Sequence, residues 1–313
     1  MNISKYLQKP QLRLDRYTLC GFASILLWST TIAIVRSLTE QIGPFTSAAS
    51  VYLVGGLFAL IPLLRSRNRI HEIRSLSRHY LYGCGALFVF YMFAIYFAVG
   101  LARDRHQVLE VGLVNYLWPA LTLLFSVLLL EKSARPSLIP GTLLGLLGVF
   151  LVLTQGNSIS WASFSRNVVT NPWAYSLALS AALSWGLYSN LSRRWEGGKG
   201  EGAVPFFILA TGVVLLFLRL LNPEQSLWTW RSVAEVLFMS LATLLAYVFW
   251  DLAMRKGDMV LVVACSYFTP LFSTLVSCLY LRITGGLCLW IGCGCIILGS
   301  LISWASVSDR NKK

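Results

Sequence analysis

Charge is what this chain has least of. Of its 313 residues, 12% are Asp, Glu, Lys or Arg, against about 25% in a soluble domain. Hydrophobic residues make up 56% and the mean hydropathy is +0.66, which excludes a soluble globular protein and points to an integral membrane protein. Histidine is nearly absent, with three in all. One of them, His71, opens the segment HEIRS, which lacks the second histidine of a zinc-protease helix. The chain carries no Walker-type phosphate loop, no nucleophile elbow and no paired catalytic groups at depth. Neither an enzyme nor a cofactor is therefore expected. The seven cysteines, Cys20, Cys84, Cys265, Cys278, Cys288, Cys293 and Cys295, all lie in apolar stretches. Cys293 and Cys295 have no second cysteine pair or nearby histidine, so they read as small buried hydrophobes rather than metal ligands.

Acidic residues are scarce too, 13 against 26 Lys and Arg, and the formal net charge is +13. Their positions assign this excess to membrane topology rather than to nucleic acid. Ten apolar stretches of spanning length fall at about 17–40, 44–64, 79–101, 106–130, 137–155, 173–194, 203–221, 233–254, 259–281 and 285–305. The loops between them are short and leave no room for a soluble domain. With the N-terminus inside, 19 of the 26 basic residues cluster on inner segments, around Lys5–Arg16, Arg65–Arg78, Lys132–Arg135, Arg193–Lys199, Arg255–Lys256 and Arg310–Lys313. Both termini are accordingly expected in the cytoplasm. The densest run, RSRNRIHEIRSLSR from Arg65 to Arg78, is either a topology signal alone or also a contact for anionic lipid head groups. The apolar run after Tyr17 is too long for a signal-peptide core and is not followed by a small-residue cleavage site, so it reads as a retained first helix.

The chain also repeats itself. Laying CSYFTPLFSTLVSCLYL over VNYLWPALTLLFSVLLL at an offset of 151 puts Tyr267 on Tyr116, Pro270 on Pro119 and Ser277 on Ser126. The same offset puts Gly292 and Gly299 on Gly141 and Gly148. Trp28 with Arg36 and Trp185 with Arg193 share a looser spacing in the first and sixth stretches. Five helices per half force opposite orientations in the membrane. The expected fold is an all-α integral membrane protein: ten transmembrane helices in two inverted five-helix repeats, with both termini cytoplasmic. The expected units are an N-terminal extension (1–16), repeat 1 (17–155), repeat 2 (173–305) and a C-terminal tail (306–313). Inverted halves meeting at the bilayer midplane normally serve alternating access. The spacing of Gly141, Gly145 and Gly148 suits close helix packing, and a monomer or a weak homodimer through the fifth and tenth stretches is expected.

The segments LLWSTTIAIVRS, HQVLEVGLVNYLWPALT and CSYFTPLFST resemble those of the aromatic amino acid exporters of the drug/metabolite transporter superfamily. The resemblance covers nearly the whole chain and is most specific in the NYLWP block with its preceding Glu110. It implies an inner-membrane exporter whose central cavity is built mostly from stretches 1, 3, 4, 6, 8 and 9. Departures are the polar N-terminal extension, Arg105 before His106 where a second histidine is expected, and the GGKGEG linker after the sixth stretch.

Depth within each stretch selects site residues. Trp173, Trp195, Trp228, Trp230 and Trp304 lie near stretch ends, as interfacial tryptophans do. Trp28, Trp118 and Trp185 lie near the midplane, where an indole N–H needs an acceptor. Helical spacing adds Tyr188 to Trp185, Thr31 to Trp28, and Asn115 and Tyr116 to Trp118, with Tyr91 on the third stretch and Tyr267 on the ninth. The expected substrate-binding set is Trp28, Tyr91, Asn115, Tyr116, Trp118, Trp185, Tyr188 and Tyr267. Such a lining, with little formal charge, suits an aromatic amino acid, its ring stacked and its ammonium over an aromatic face. The competing expectation is an exporter of other metabolites or cationic drugs. Expected in gating or coupling are Pro119 and Pro270, which remove helix hydrogen bonds, and His106 with Glu110, four residues apart near the outer end of the fourth stretch. That pair reads equally as a gate or as an end-of-helix snorkelling pair. Asp251 and Arg255, also four apart, read as a structural pair. Expected partners are a small-molecule substrate and membrane lipid, with no nucleic acid.

Overall fold

The computed structural model describes residues 14–65, 71, 73, 75–154, 161–197, 202–281 and 286–309. Most of the N-terminal extension, much of the basic run, the linker at 198–201 and the tail from 310 lie outside the described residues, as do the side chains of Thr31, Arg36, Arg105 and Cys278.

Helix α1 spans Arg16–Ile42, and Asp15 Oδ1 caps its start by accepting from Tyr17 N at 3.1 Å and Thr18 N at 2.8 Å. Gly43 reverses the chain at a φ of +85°, where a Cβ would lie 2.5 Å from the Glu224 carboxylate. That carboxylate accepts from Phe45 N and Thr46 N at 2.9 Å, capping α2 (Pro44–Arg65) from the far side of the chain. A π-helical turn at His79–Cys84 leads into α3 (Gly85–Leu101). The fourth stretch is two helices, α4 (Arg105–Asn115) and α5 (Trp118–Leu129), followed by β1 (Lys132–Ala134) and α6 (Leu138–Leu153).

A short helix not anticipated from the sequence, α7 (Trp161–Thr170), precedes α8 (Pro172–Glu196). Its ten residues are too few and too polar to register as a spanning stretch. Next come α9 (Val204–Leu221) and α10 (Trp230–Lys256). The ninth stretch is again split, into α11 (Met259–Cys265) and α12 (Phe268–Leu281), before α13 (Leu287–Ser306) and β2 (Val307–Asp309). β1 and β2 pair antiparallel with Ser133 opposite Ser308, so the fold is not purely α-helical. The departure is three residues long in each strand, below the reach of hydropathy reasoning. Among the described residues, six helices are long and apolar enough to cross a membrane: those at Pro44–Ile61, His79–Leu101, His106–Leu129, Val204–Leu221, Trp230–Lys256 and Leu287–Ser306.

The helices pair across the chain. α1 packs on α10 and α12, α8 on α3 and α5, α2 on α9, and α6 on α13. The last pair meets backbone to backbone: a Cβ on Gly299 would lie 2.3 Å from Gly145 N, and one on Gly148 2.7 Å from Gly292 O. The glycine faces considered above for a homodimer are thus occupied within the chain. Gly299→Ala is expected to cost about 1–3 kcal/mol by overpacking. Gly294→Ala, where no atom lies within 4 Å of the added Cβ, serves as the control. Melting temperatures of the two purified variants check this, and equal values would contradict the packing.

A candidate binding cavity between two broken helices

Both interruptions have one cause. Proline at position 119 or 270 lacks an N–H and crowds the carbonyl four residues back, so the preceding turn cannot continue as α-helix. The chain responds by tightening. Leu117 N donates to Val114 O at 3.1 Å, and Tyr267 N to Ala264 O at 3.4 Å, both three residues back. Pro119 and Pro270 are buried rather than lipid-facing. The breaks sit at Tyr116–Leu117, two to three residues ahead of Pro119, and at Ser266–Tyr267, three to four ahead of Pro270.

A cavity of about 220 Å³ opens between the breaks, lined by Trp28, Tyr91, Asn115, Tyr116, Trp118, Trp185, Tyr247 and Thr269. At roughly 30 Å³ per water, that is room for about seven waters or for one molecule of amino-acid size. None of the lining residues carries a formal charge. Two polar atoms in the lining are buried and without a partner, Asn115 Oδ1 and Thr269 Oγ1. Close by, Thr122 Oγ1 donates to Trp118 O at 2.6 Å and Asn190 Nδ2 to Thr122 O at 2.9 Å, while Asn190 Oδ1 and the Tyr267 hydroxyl, outside the lining, are also buried without a partner.

The aromatic residues form one connected cluster. Trp250 lies 5.1 Å from Trp28, 5.3 Å from Trp118 and 6.1 Å from Trp185, between ring centroids. Trp185 in turn stands 4.7 Å from Tyr91 and 5.7 Å from Tyr247. Such pairs contribute about 0.5–1.5 kcal/mol each beyond area burial, so the cavity wall is preorganised before any ligand arrives.

Six of the eight expected binding residues line this cavity: Trp28, Tyr91, Asn115, Tyr116, Trp118 and Trp185. Tyr188 does not. It is buried one turn beyond Trp185, and its hydroxyl donates to Asp251 Oδ1 at 3.1 Å. Tyr267 does not either; it is buried with its ring against Gly145 of α6, because the tightened turn points residue 267 away from the break. Sequence reasoning missed Tyr247 and the supporting Trp250; it marks Thr269, the counterpart of Trp118 at the offset of 151, as the place where the repeat breaks for ligand recognition, but leaves it out of the binding set. Tyr247 lies about seven residues from the end of the 233–254 stretch, too near it for midspan depth to single it out. Trp250 lies near the end of a stretch that the folded helix extends to Lys256. The signal was the helical spacing of Tyr247, Trp250 and Asp251.

Beyond the tryptophans, toward Arg255, the bundle is sealed by a buried ion pair. Arg255 Nε donates to Asp251 Oδ2 at 2.7 Å with both side chains at most 2% exposed. Asp251 Oδ1 accepts from Tyr80 at 3.0 Å as well as from Tyr188, and the Tyr80 hydroxyl accepts from Ala203 N at 3.1 Å. This seal ties the π-helical turn, α8, α9 and α10 together.

On the opposite side, Glu110 and His106 do not form the ion pair that their spacing suggests. Glu110 is fully buried and His106 exposed. The carboxylate instead accepts from Asn167 Nδ2 of α7 at 3.1 and 3.3 Å and from the Tyr175 hydroxyl of α8. Two neutral donors satisfy it, which is why it does not turn outward to the histidine.

Comparison with known proteins agrees with this architecture. The model of the EamA-like transporter family matches residues 16–154 and again 172–305. The chain belongs to the EamA-like transporter family. The transporter is a multi-pass protein of the inner membrane, of a family of transporters rather than enzymes. It is 32% identical over 297 residues to the aromatic amino acid exporter YddG of Salmonella typhimurium, covering 95% of this chain and 99% of that one. It is likewise 32% identical to the protein of that name from Escherichia coli K12, over 93% and 97% of the two chains. A third relative so named, from Ancylobacter novellus, is 33% identical over 83% of this chain and 86% of its own. A solved crystal structure 29% identical to the transporter superposes with a TM-score of 0.77, covering 93% of this chain and 98% of the other.

The seal makes an energetic prediction. Removing one partner of a buried ion pair costs about 3–5 kcal/mol, whereas an exposed pair contributes about 0.2–1 kcal/mol. Asp251→Ala should therefore lower the melting temperature far more than Arg231→Ala, whose pair with Glu235 is 73% exposed on the arginine. Thermal unfolding of the purified transporter measures both, and equal shifts would contradict the seal.

Proposed function

We propose that the transporter exports aromatic and other hydrophobic amino acids by alternating access through the central cavity. The observation that carries the reading is an uncharged, indole-lined space with two unpartnered polar atoms at the meeting of two broken helices. An aromatic ring stacks in such a space, and its attached polar group finds the unpaired atoms. Modest affinity follows from the lack of charge, and it suits a carrier that must release its cargo. The names of the three relatives point the same way.

Ten spans in two inverted halves are part of the proposal. Exchanging the halves maps the α1–α10 contact onto α8–α3, α1–α12 onto α8–α5, and leaves α2–α9 and α6–α13 unchanged, as a pseudo-twofold axis requires. The twofold match of the family model at 16–154 and 172–305 supports the same division. The basic clusters assign the Arg255 end, and both termini, to the cytoplasm. The Asp251–Arg255 seal is then the closed inner gate, and the substrate enters when it parts. Glu110, fastened to α7 and α8, belongs to the outer gate, with the exposed His106 at its rim. Pro119 and Pro270 supply the flexure of the two broken helices.

Cation-selective drug export, the competing reading, calls for an acid beside the ligand, and the cavity lining contains none. Proteoliposomes holding the purified chain test the proposal. Radiolabelled phenylalanine and tryptophan should move, and Trp185→Ala should cut the flux about tenfold, roughly the loss of one or two aromatic contacts. Inert vesicles containing folded, inserted protein would overturn the substrate assignment. Undiminished flux through Trp185→Ala would reduce the indole cluster to packing.

A further inference from the structure

We infer that the cavity reads the two charged ends of an amino acid with two different half-helix ends: Thr269 at the start of α12 takes the carboxylate, and Asn115 at the finish of α4 takes the ammonium. This rests on the export reading above and adds the orientation of the substrate. The partial charge at a helix N-terminus is positive and that at a C-terminus negative, and broken membrane helices present both within the hydrocarbon region. The cavity borders one of each. Thr269 is the second residue of the 14-residue α12 and is 7% exposed. Its backbone is fully engaged, the N–H donating to Ser266 O at 3.0 Å and the carbonyl accepting from Ser29 Oγ at 3.2 Å. Its hydroxyl, in contrast, has no partner and lines the cavity, a donor placed where an anion is favoured. Asn115 is the last residue of α4, and its buried Oδ1, also without a partner, is an acceptor placed where a cation is favoured.

The repeat explains why the two ends are not interchangeable. Thr269 occupies the position that Trp118 occupies in the other half. One half therefore offers an indole and the other a hydroxyl, separating the place for the ring from the place for the carboxylate. The ring lies among Trp28, Trp118 and Trp185 while the backbone bridges the two breaks.

Three ligands that differ only in their ends test this on the full-length purified chain: tryptophan, tryptamine, which lacks the carboxylate, and 3-indolepropionate, which lacks the ammonium. Their competition against radiolabelled tryptophan gives each affinity. Thr269→Val should weaken tryptophan and 3-indolepropionate about tenfold, the loss of one hydrogen bond to a charged group, and leave tryptamine unchanged, while Thr269→Ser keeps all three. Asn115→Leu should weaken tryptophan and tryptamine and spare 3-indolepropionate. Retained binding of the spared ligand shows that each variant is folded. If Thr269→Val does not purify as a monodisperse species, Thr269→Ala takes its place in the same comparison. Equal losses for all three ligands in monodisperse variants, or no loss, would overturn the orientation while leaving aromatic transport standing. A wild-type chain that binds no tryptophan would instead remove the export reading.

Discussion

The structure depends on a rule the bilayer imposes: a backbone hydrogen bond broken in hydrocarbon must be replaced within the protein. Two prolines break that bond at corresponding places in the two halves, and the surrounding helices are arranged around the consequences. α1 and α8 lie against the repaired segments, supplying Ser29 to the carbonyl of Thr269 on one side and Asn190 to that of Thr122 on the other. Gly186 lets α8 come so near α5 that a Cβ there would lie 3.2 Å from Thr122 N. The repair of the backbone is nearly complete, and among the buried polar atoms still without a partner are Asn115 Oδ1 and Thr269 Oγ1 in the cavity wall.

Polar groups at the two ends of the bundle are treated differently from those at its centre. The Asp251 carboxylate has an ion-pair partner and two phenolic donors, and Glu110 has an amide and a phenol. Buried charge is tolerable only with such company. At the centre, formal charge is missing from the lining and two polar atoms stand unpaired. A bundle whose Asp251 and Glu110 carboxylates are satisfied, and whose cavity wall carries unpaired polar atoms, favours a ligand that supplies the missing partners. It also sets a cost on opening either end, since the groups released there must find new partners.

Much of this was legible in the sequence. Hydropathy located the apolar stretches to within a few residues, and the offset of 151 made Pro119 and Pro270 equivalent and matched the glycines of α6 with those of α13, although not their direct contact within the chain. Of the six cavity residues, Trp28, Trp118 and Trp185 were reachable because tryptophan at midspan is anomalous in itself, Asn115 and Tyr116 by their spacing from Trp118, and Tyr91 by its midspan place. What escaped had physical reasons. α7 is too short and polar to stand out, and it supplies Asn167 to Glu110. Tyr267 lies in the break itself, where a few tens of degrees of rotation decide facing in a way that spacing along an ideal helix does not capture. Tyr188 was spoken for by Asp251, a pairing across helices that no periodicity contains.

The seam between α6 and α13 has a mechanical consequence. Where Gly145 meets Gly299 and Gly148 meets Gly292, backbone touches backbone, and the side chains of Ile296 and Val152 pack directly beside the glycines. A surface of that kind resists translation and shear. Clamped further by the β1–β2 ladder between Lys132–Ala134 and Val307–Asp309, it joins the last helices of the two halves into one unit. In the alternating-access cycle proposed above, that unit would be the stator, the part against which the remaining helices move.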